Sequence, residues 1–502
     1  MSHEYQIVPD GVSYLSDFID VLPSHKLINK GITGCGGTTL ELKAKRNSLL
    51  LFPTIELVRS KTSPEYLPVD GEVDIYAIRQ YVAKRISNNQ FIKIIGTYDS
   101  LPKIMQAVPG CTEYFLPIDE YHLLFNDYSF RSNAILNILL NFRKFDDWAF
   151  LTATPLNETF TLKELEDIDQ ITYQWPQATK VDIKIKDTAY IQRELVRIIT
   201  SYPERNIHVF LNSVSTIRNI IKKLDTDDFR VVCSSKQRGK VRHCVPITEP
   251  VRKLNFYTSC SFEGCDIYDE KGMTVILSDT SLSTTILDIS TKIRQVCGRI
   301  RNSKYKDECI LILNTRHYRY ANVSKTQFDE FSANMEAKGK DRINLLTGCS
   351  EMSFCTEIEL YGQNRIGYNN IYVNFFNSHF FYDENLKKID LYNYMLVSEI
   401  YNNTVSVITE YKKNNFSVSA ELMTKVNSKG LPWVIDILEE EGKDEWTYKE
   451  LHDRFSQEFY KRGLVFNKTN TIALFFPAFN KIRKTIMGKK ELVYTFIYKM
   501  LI

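Results

Sequence analysis

The sequence predicts an α/β protein with two consecutive parallel-sheet domains and a mixed α+β C-terminal region. One hydrophobic core rarely grows beyond about 250–300 residues, so the 502 residues of this chain require several domains. Over residues 1–325 short apolar runs alternate with amphipathic stretches, which is typical of βαβ units on a parallel sheet, and the alternation begins again after Pro176. With 43% hydrophobic and 25% charged residues, the composition is that of a globular protein and excludes a collagen-like or disordered chain.

Ten apolar runs are candidates for the strands of these two sheets. Each run ends in small or polar residues, and open α/β sheets bind their ligands at such strand ends. We therefore predict a first domain over residues 1–178 and a second over residues 179–325. The predicted strands of the first domain are Lys26–Asn29, Ser48–Phe52, Phe91–Ile95, Tyr114–Ile118 and Ala149–Thr152, and those of the second are Asn206–Asn212, Arg230–Cys233, Lys253–Thr258, Thr274–Leu277 and Glu308–Leu313.

The rest of the chain lacks this alternation. Residues 350–400 are rich in Tyr, Phe and Asn without a clear period, and we interpret residues 326–430 as a connecting subdomain. Further on, Thr447 and Glu450 form a capping-box pattern that predicts the start of a helix. A second helix is predicted over residues 470–486 and a strand over residues 491–498. This order is compatible with a small winged-helix-like nucleic-acid-binding module over residues 431–502.

Positive charge is concentrated at the C-terminal end. Residues 461–502 contain nine Lys or Arg and one Glu, whereas the preceding residues contain 55 basic and 60 acidic side chains. Such an asymmetry favours a polyanionic partner at that end, although a solvated basic face would have the same composition. The basic residues that we expect to contact nucleic acid are Lys481, Arg483, Lys484, Lys489 and Lys490.

Cysteine spacing argues against a protein with a structural metal, and hydropathy argues against a membrane-spanning or secreted protein. The ten cysteines contain no C-x-x-C pair, so we expect reduced thiols that pack as small apolar side chains, with no structural metal. No apolar run approaches the ~18–20 residues that cross a bilayer, and the first residues lack a signal pattern. We therefore expect a cytoplasmic protein without a membrane partner.

The strongest local pattern is a glycine-rich loop in the run KLINKGITGCGGTTLELKAK. A predicted strand enters the loop, and a helix is predicted to open at Thr38. Gly34, Gly36 and Gly37 would let backbone N–H groups converge on an anion, and the Thr38 hydroxyl would complete a Mg²⁺ shell. A plain tight turn would have the same composition.

The loop departs from the phosphate-binding pattern G-x-x-x-x-G-K-[ST] at one position. Gly37 stands where that pattern has lysine, and the lost charge-assisted contact would cost roughly 1.5–3 kcal/mol. Lys30, at the end of the strand, could fold back over the loop and replace it.

A second pattern is the acidic pair in FLPIDEYHLLF. Asp119 and Glu120 follow an apolar run, and His122 comes two residues later. In a nucleotide-hydrolysing site the first carboxylate would hold Mg²⁺ through water, and the second would orient the attacking water and take its proton. Two adjacent acids at a strand end also occur by chance, and His122 could be an ordinary interior histidine.

Besides the loop and the acidic pair, six further short motifs occur along the chain. They are LLLFPTIEL (49–57), IIGTYDSL (94–101), FLTATP (150–155), HVFLNSVS (208–215), YTSCSFEGCDI (257–267) and RQVCGRIRNS (294–303). The order of these motifs resembles that of the superfamily 2 helicases of the DExH type over residues 25–305. The last motif, Q-x-x-G-R-x-R, is most similar to that of viral replication-origin-binding helicases. The resemblance implies two RecA-like domains that bind ATP and Mg²⁺.

The resemblance also implies a role for each matching residue. Thr38 and Asp119 would hold Mg²⁺, Glu120 would be the catalytic base, and Arg299 would be an arginine finger. His122 and Gln295 would face the γ-phosphate, while Thr152 and Thr154 would couple hydrolysis to domain movement. Residues expected around the nucleotide are Lys30, Gly34, Cys35, Gly36, Gly37, Thr38, Thr39, Gly264, Asp266 and Arg301, and those expected on the nucleic-acid backbone are Thr54, Thr97, Ser213 and Thr258.

Three functions follow from this reading. The first is an ATP-dependent DNA helicase or translocase in the replication of a virus or mobile element, with replication proteins as partners. The second is a non-hydrolysing, nucleotide-gated nucleic-acid-binding protein, such as a replication initiator or scaffold, which Gly37 favours. A structural protein with a vestigial helicase fold is the third, and it would bind no nucleotide.

Overall fold

The computed structural model of the chain describes residues 2–61, 63–176, 180–188, 190–224, 226–263, 265–315, 323–421, 445–461, 479–486 and 489–496. The chain divides into two units, Met1–Ala420 and Glu421–Ile502. The first unit contains two parallel sheets, which we call the first lobe (residues 3–174) and the second lobe (residues 182–314 together with the strand at residues 417–421). This architecture confirms the predicted fold class of tandem α/β domains.

The first lobe is an eight-stranded sheet with the order β1-β8-β2-β7-β6-β3-β5-β4, and its strand pairs are parallel. The strands are β1 (His3–Ile7), β2 (Lys26–Asn29), β3 (Ser48–Phe52), β4 (Leu67–Val69), β5 (Lys93–Thr97), β6 (Leu116–Asp119), β7 (Trp148–Thr152) and β8 (Gln170–Gln174). The helices are α1 (Gly37–Lys43), α2 (Ile55–Ser60), α3 (Ile75–Ser87), α4 (Leu101–Ala107), α5 (His122–Asn126) and α6 (Tyr128–Asn141).

Apolar sequence runs explain the central strands of this sheet. Every residue of β3 and β5 is buried, as expected for parallel strands covered on both faces. Pro117 is tolerated inside β6 because β3 and β6 share only the pair Leu51–Ile118 in their ladder, so its missing N–H breaks no regular run of bonds. Strand β6 ends with Asp119, and its pairing places this residue at the same edge of the sheet as the ends of β2 and β7.

The second lobe is a seven-stranded sheet with the order β11-β12-β10-β13-β14-β9-β17. The strands are β9 (Asp182–Asp187), β10 (Asn206–Phe210), β11 (Phe229–Val232), β12 (Leu254–Tyr257), β13 (Gly272–Asp279), β14 (Glu308–Asn314) and β17 (Ser417–Glu421), and the helices are α7 (Ile191–Ser201), α8 (Val214–Ile221) and α9 (Arg294–Cys297). All ten predicted strands are present, each within two residues of its predicted bounds.

The region predicted as a connecting subdomain is mainly helical and contacts both lobes. The Tyr128 hydroxyl of the first lobe donates to Asp383 Oδ2 at 2.8 Å, and the Tyr401 hydroxyl donates to Leu287 O of the second lobe at 2.7 Å. This region contains α10 (Lys325–Thr347), α11 (Glu351–Gln363), α12 (Arg365–Asn369), β15 (Val373–Phe376), β16 (His379–Tyr382), α13 (Glu384–Tyr394) and α14 (Thr404–Lys413).

The described part of the second unit contains β18 (Glu445–Thr447), α15 (Tyr448–Lys461), β19 (Phe479–Ile486) and β20 (Lys489–Phe496). Its sheet is antiparallel with the order β18-β20-β19. The predicted capping box is present, because Glu450 Oε2 accepts from Thr447 N at 2.7 Å and Thr447 Oγ1 accepts from Glu450 N at 3.3 Å.

The helix predicted over residues 470–486 is wrong for residues 479–486, which form β19. Ile486 pairs with Lys489, so two residues separate the paired ends, which is a spacing typical of β-hairpins. Residues 470–478 lie outside the described part of the chain. Among the helices that the structure describes, none is long and apolar enough to cross a membrane.

Candidate active site

A glycine-rich loop joins β2 to α1 at the edge of the first lobe. Gly31, Gly34 and Gly36 have φ angles of 76°, 77° and 80°, a conformation that L side chains rarely adopt. At Gly31 a Cβ atom would lie 2.2 Å from the Tyr173 carbonyl oxygen, so only glycine fits there. The glycines of the sequence pattern therefore allow a tight loop between β2 and α1.

Lys30 extends from the end of β2 along this loop. A Cβ atom at Gly37 would lie 3.2 Å from Lys30 Cδ, so the lysine side chain occupies the space beside residue 37. Its Nζ lies 2.9 Å from Asp119 Oδ1 and 3.3 Å from Glu120 Oε1. Burial alone would lower the pKa of Lys30, but the carboxylates of Asp119 and Glu120 outweigh it and raise the pKa above its usual value.

The acidic pair follows β6 directly. Asp119 Oδ2 accepts from the Thr38 hydroxyl at 2.7 Å. Burial would raise the pKa of Asp119, but the Lys30 ammonium more than offsets this and holds it below its usual value. Glu120 has a φ of 54°, a strained conformation for a residue with a side chain, which typically costs ~1–3 kcal/mol and occurs preferentially at functional sites.

Both lobes hold the Glu120 carboxylate. Its Oε2 accepts from Thr152 Oγ1 at 3.1 Å and from Gln295 Nε2 at 3.1 Å. Gln295 lies on α9 of the second lobe and also donates to Thr154 Oγ1 at 3.1 Å. His122 Nδ1 lies 2.8 Å from Thr152 Oγ1. The structure therefore brings Gln295 to Glu120, His122, Thr152 and Thr154, although it follows them by at least 141 positions in the sequence.

The two arginines of the last motif have different surroundings. Arg299 is buried and donates to Gln295 O at 2.7 Å, to Gln295 Oε1 at 2.9 Å and to Cys265 O at 3.2 Å. Burial lowers the pKa of its guanidinium. Arg301 donates through Nε to Asp266 Oδ1 at 2.6 Å, and a Cβ atom at Gly34 would lie 2.7 Å from its Nη1. Arg301, rather than Arg299, thus reaches the glycine-rich loop across the seam between the lobes.

The same seam contains a cavity of about 380 Å³. A Cβ atom at Gly298 would lie 2.3 Å from Thr33 Oγ1, so the second lobe approaches the loop as closely as glycine allows. The cavity lining includes Gly31, Thr33, Thr154, Gly298 and Arg301. The cavity therefore adjoins the loop on one lobe and the last motif on the other.

The remaining residues predicted around the nucleotide differ in how exposed they are. Cys35 is buried, and burial raises the pKa of its thiol. Thr39 and Asp266 are exposed. Gly264 lies outside the described residues.

The hydroxyls predicted on the nucleic-acid backbone have partners within the protein. Thr54 and Ser213 cap α2 and α8, accepting from Leu57 N and Thr216 N at 3.2 Å. Thr97 and Thr258 are buried; Thr97 Oγ1 lies 2.9 Å from Ser100 Oγ, and Thr258 Oγ1 donates to Val232 O at 3.4 Å. The basic residues Lys481, Arg483, Lys484, Lys489 and Lys490 lie on β19 and β20, and their side chains are outside the described part of the chain.

Sequence reasoning missed three residues that shape the loop. Tyr14 lies against Gly36, Thr33 lies against Gly298, and Trp175 Nε1 donates to Lys30 O at 2.7 Å. Thr33 could have been found from its position inside the glycine-rich run. Tyr14 and Trp175 carry no local signal, because only the folded sheet brings their segments to the loop.

No family model and no curated protein matches the chain. Among solved structures, it is similar to the helicase Lhr of Mycobacterium smegmatis, bound to ssDNA and AMP-PNP, with a TM-score of 0.38 and 14% identity over 64% of this chain and 46% of that one. Dbp5 of S. cerevisiae, bound to RNA and ADP BeF3, gives a TM-score of 0.40 and 13% identity over 62% and 82%. The DExH-box NTPase HrpB of E. coli gives a TM-score of 0.36 and 13% identity over 60% and 40%. The chain spans less than half the length of the mycobacterial helicase.

Proposed function

We propose that the chain is a nucleoside triphosphatase that uses ATP to move along nucleic acid. One observation carries this proposal: a buried lysine, two carboxylates and a hydroxyl on the first lobe meet Gln295 and Arg301 of the second lobe at one glycine-rich loop. Such a convergence of donors, acceptors and charge from two lobes is what phosphoryl transfer requires.

The residues of the first lobe fit a magnesium nucleotide. Thr38 and Asp119 offer oxygen atoms that already share a hydrogen bond, and hard cations prefer such ligands. Bound Mg²⁺ would neutralise charge on the phosphates. Lys30 would exchange its contacts with the carboxylates for a phosphate oxygen, since its aliphatic chain already lies next to residue 37. This contact would supply the charge that Gly37 lacks.

Glu120 is the proposed general base. A water held by its carboxylate would give up a proton as it attacks the γ-phosphate. Gln295 and Thr152 fix the orientation of this carboxylate by donating to Oε2. Arg301 would stabilise the charge that develops on the phosphates, and Arg299 would act through Gln295 as a positioning residue.

Movement would follow from closure of the lobes around the nucleotide. A nucleotide that contacts both lobes favours the closed arrangement by its difference in affinity for the two states. Hydrolysis removes the contact that the nucleotide makes with both lobes. Each cycle would therefore change how tightly the lobes hold one strand of the nucleic acid. The preference for DNA, and a role in the replication of a virus or mobile element, rest on the resemblance of the last motif to origin-binding helicases.

The test is NTPase activity with and without single-stranded nucleic acid. We expect poly-dT oligonucleotides to stimulate hydrolysis by the wild type, with RNA of equal length as the comparison. Glu120→Gln should lower kcat about 10²–10⁴-fold, the usual contribution of a general base, while nucleotide still binds.

Equal rates with and without nucleic acid would contradict the proposal. Binding without turnover in the wild type would support the second candidate, a nucleotide-gated binding protein, for which the glycine at position 37 is the specific observation.

The basic C-terminal end is proposed to add affinity for nucleic acid. Replacing Lys481, Arg483, Lys484, Lys489 and Lys490 with glutamine in the full chain should flatten the salt dependence of DNA binding by up to about four to five units, since each phosphate contact contributes ~0.9. Lys412→Gln/Lys413→Gln, in two exposed lysines of α14, is the control. An unchanged salt dependence would mean that these residues do not contact the nucleic acid.

A further inference from the structure

Among the residues that the structure describes, two buried polar atoms that face each other across the seam have no hydrogen-bond partner. His122 Nε2 of the first lobe and Glu263 Oε1 of the second lobe lie 3.8 Å apart. The His122 side chain is fully buried, and the Glu263 side chain is 11% exposed. Buried polar atoms are nearly always paired, so this gap calls for an explanation. A hydrogen bond would require an approach of about 1 Å, which a small closure of the lobes would supply.

Glu263 shares its surroundings with other charged groups. Burial raises the pKa of Asp127 to about 6, and the nearby Glu263 carboxylate adds to this shift. Lys292, Arg131 and His122 oppose it. The Glu263 carboxylate is therefore close enough to exert its charge on the first lobe.

The other ring nitrogen of His122, Nδ1, lies on the side of Glu120, the proposed base. His122 Nδ1 lies 2.8 Å from Thr152 Oγ1, and the same hydroxyl lies 3.1 Å from Glu120 Oε2. The Nδ1 atom also lies 3.4 Å from Glu120 Oε2, so a proton on Nδ1 faces the carboxylate directly as well as through Thr152. Thr152 has a single O–H, so it can donate to the histidine or to Glu120 but not to both. A neutral histidine carries one N–H. The ring nitrogen that carries it decides whether Thr152 donates to His122 or to Glu120.

The two tautomers have opposite consequences. With the proton on Nδ1, His122 donates to Thr152, and Thr152 donates to Glu120. With the proton on Nε2, the ring faces Glu263 as a donor, and its Nδ1 lone pair accepts from Thr152. Thr152 then no longer donates to Glu120, which keeps the Gln295 contact and becomes a better proton acceptor because one donor has turned away.

We propose that Glu263 is a positioning residue that docks on His122 Nε2–H when the lobes close and turns the Thr152 hydroxyl away from Glu120. This inference rests on the proposed function, because the contact acts on Glu120, the proposed base. The second lobe would then control the basicity of Glu120 as well as contact the phosphates. Hydrolysis would then be favoured only in the closed arrangement.

The first measurement concerns the histidine and needs no turnover. Long-range ¹⁵N–¹H spectra of the full chain labelled at histidine report which ring nitrogen carries the proton, with His122→Asn for assignment. With the non-hydrolysable ATP analogue AMP-PNP bound, so that the lobes close, we expect the Nε2–H form of His122 in the wild type and a shift towards the Nδ1–H form in Glu263→Ala. The exposed Glu270 of the same lobe supplies the control Glu270→Ala. An Nδ1–H ring in the wild type with the analogue bound, or no difference between the wild type and Glu263→Ala under these conditions, would overturn the inference.

The second measurement is the nucleic-acid-stimulated NTPase. Glu263→Ala should lower kcat about tenfold with little change in KM for ATP, because the contact forms on closure. Glu263→Gln retains an acceptor oxygen and should recover part of the loss. The effect of Glu263→Ala should disappear in a His122→Asn background.

Additive losses in that double variant would overturn the inference. An inactive wild type that nevertheless shows the expected histidine shift would contradict the proposed function and leave the contact between Glu263 and His122 supported. The two failures are thus distinguishable.

Discussion

Lys30→Met is expected to lower kcat/KM for ATP by roughly ten- to a hundredfold, which corresponds to the loss of a charge-assisted contact of about 1.5–3 kcal/mol. The physical reason is the position of the ammonium, 2.9 Å from Asp119 and 3.3 Å from Glu120, with its aliphatic chain next to Gly37. The measurement is steady-state NTPase activity. Removing one partner also leaves two buried carboxylates without their cation, so the free energy of unfolding should fall by about 3–5 kcal/mol.

A charge swap separates the catalytic effect from this loss of stability. Gly37 has an ordinary negative φ, so a lysine there meets no backbone strain, but its Cβ would lie 3.2 Å from Lys30 Cδ. Gly37→Lys alone should therefore reduce activity by crowding two cations into one space. The double variant Lys30→Met/Gly37→Lys should regain activity relative to Lys30→Met, because the cation returns from the other side of the loop.

Lys26→Met is the matched control, since Lys26 lies on the same strand and contacts Asp169 at the surface. A gain of activity in Gly37→Lys, with Lys30 intact, would mean that Lys30 does not replace the missing lysine.

Local sequence was sufficient for the strands that carry the site. Strands β2 and β3 have their predicted bounds, because the two central residues of β2 and every residue of β3 are buried in the sheet. The edge strands β1 and β4 were not predicted. The residues of β1 are exposed or half-buried, and β4 has only one buried residue, so neither a continuous apolar run nor a clean alternation marks these strands. The strand at Phe479–Ile486 was predicted as a helix because its partner strand, which fixes the hairpin, is not visible in a short window.

The candidate site was predictable as a set of residues but not as a geometry. The glycine-rich run and the acidic pair are local patterns, and their positions at strand ends follow from the parallel sheet. The contact of Gln295 with Glu120 spans 175 positions, so no spacing rule could have indicated it. The resemblance made Arg299 the arginine finger, but in the structure Arg301 lies against the loop and Arg299 donates to Gln295. Both arginines belong to one short motif, so only the fold decides their directions.

Arg301→Ala is expected to lower kcat about a thousandfold or more, which is the usual contribution of an arginine finger. Its guanidinium lies against Gly34 of the loop, and one aspartate, Asp266, accepts from its Nε. Its terminal nitrogens are therefore directed at the place where phosphates would bind. Single-turnover hydrolysis under saturating ATP measures the effect on the chemical step, and Arg301→Lys should not restore it, since a lysine lacks the planar fork of donors.

Arg299→Ala should behave differently. Arg299 gives its hydrogen bonds to Gln295 and to the Cys265 carbonyl, so its removal should lower the melting temperature and weaken the contact of Gln295 with Glu120. Arg197→Ala, in an exposed arginine of α7, is the control for loss of charge on the second lobe. If Arg301→Ala hydrolyses ATP at the wild-type rate while a folded Arg299→Ala is inactive, the finger is Arg299, and closure must reorganise the buried network around Gln295 to release it.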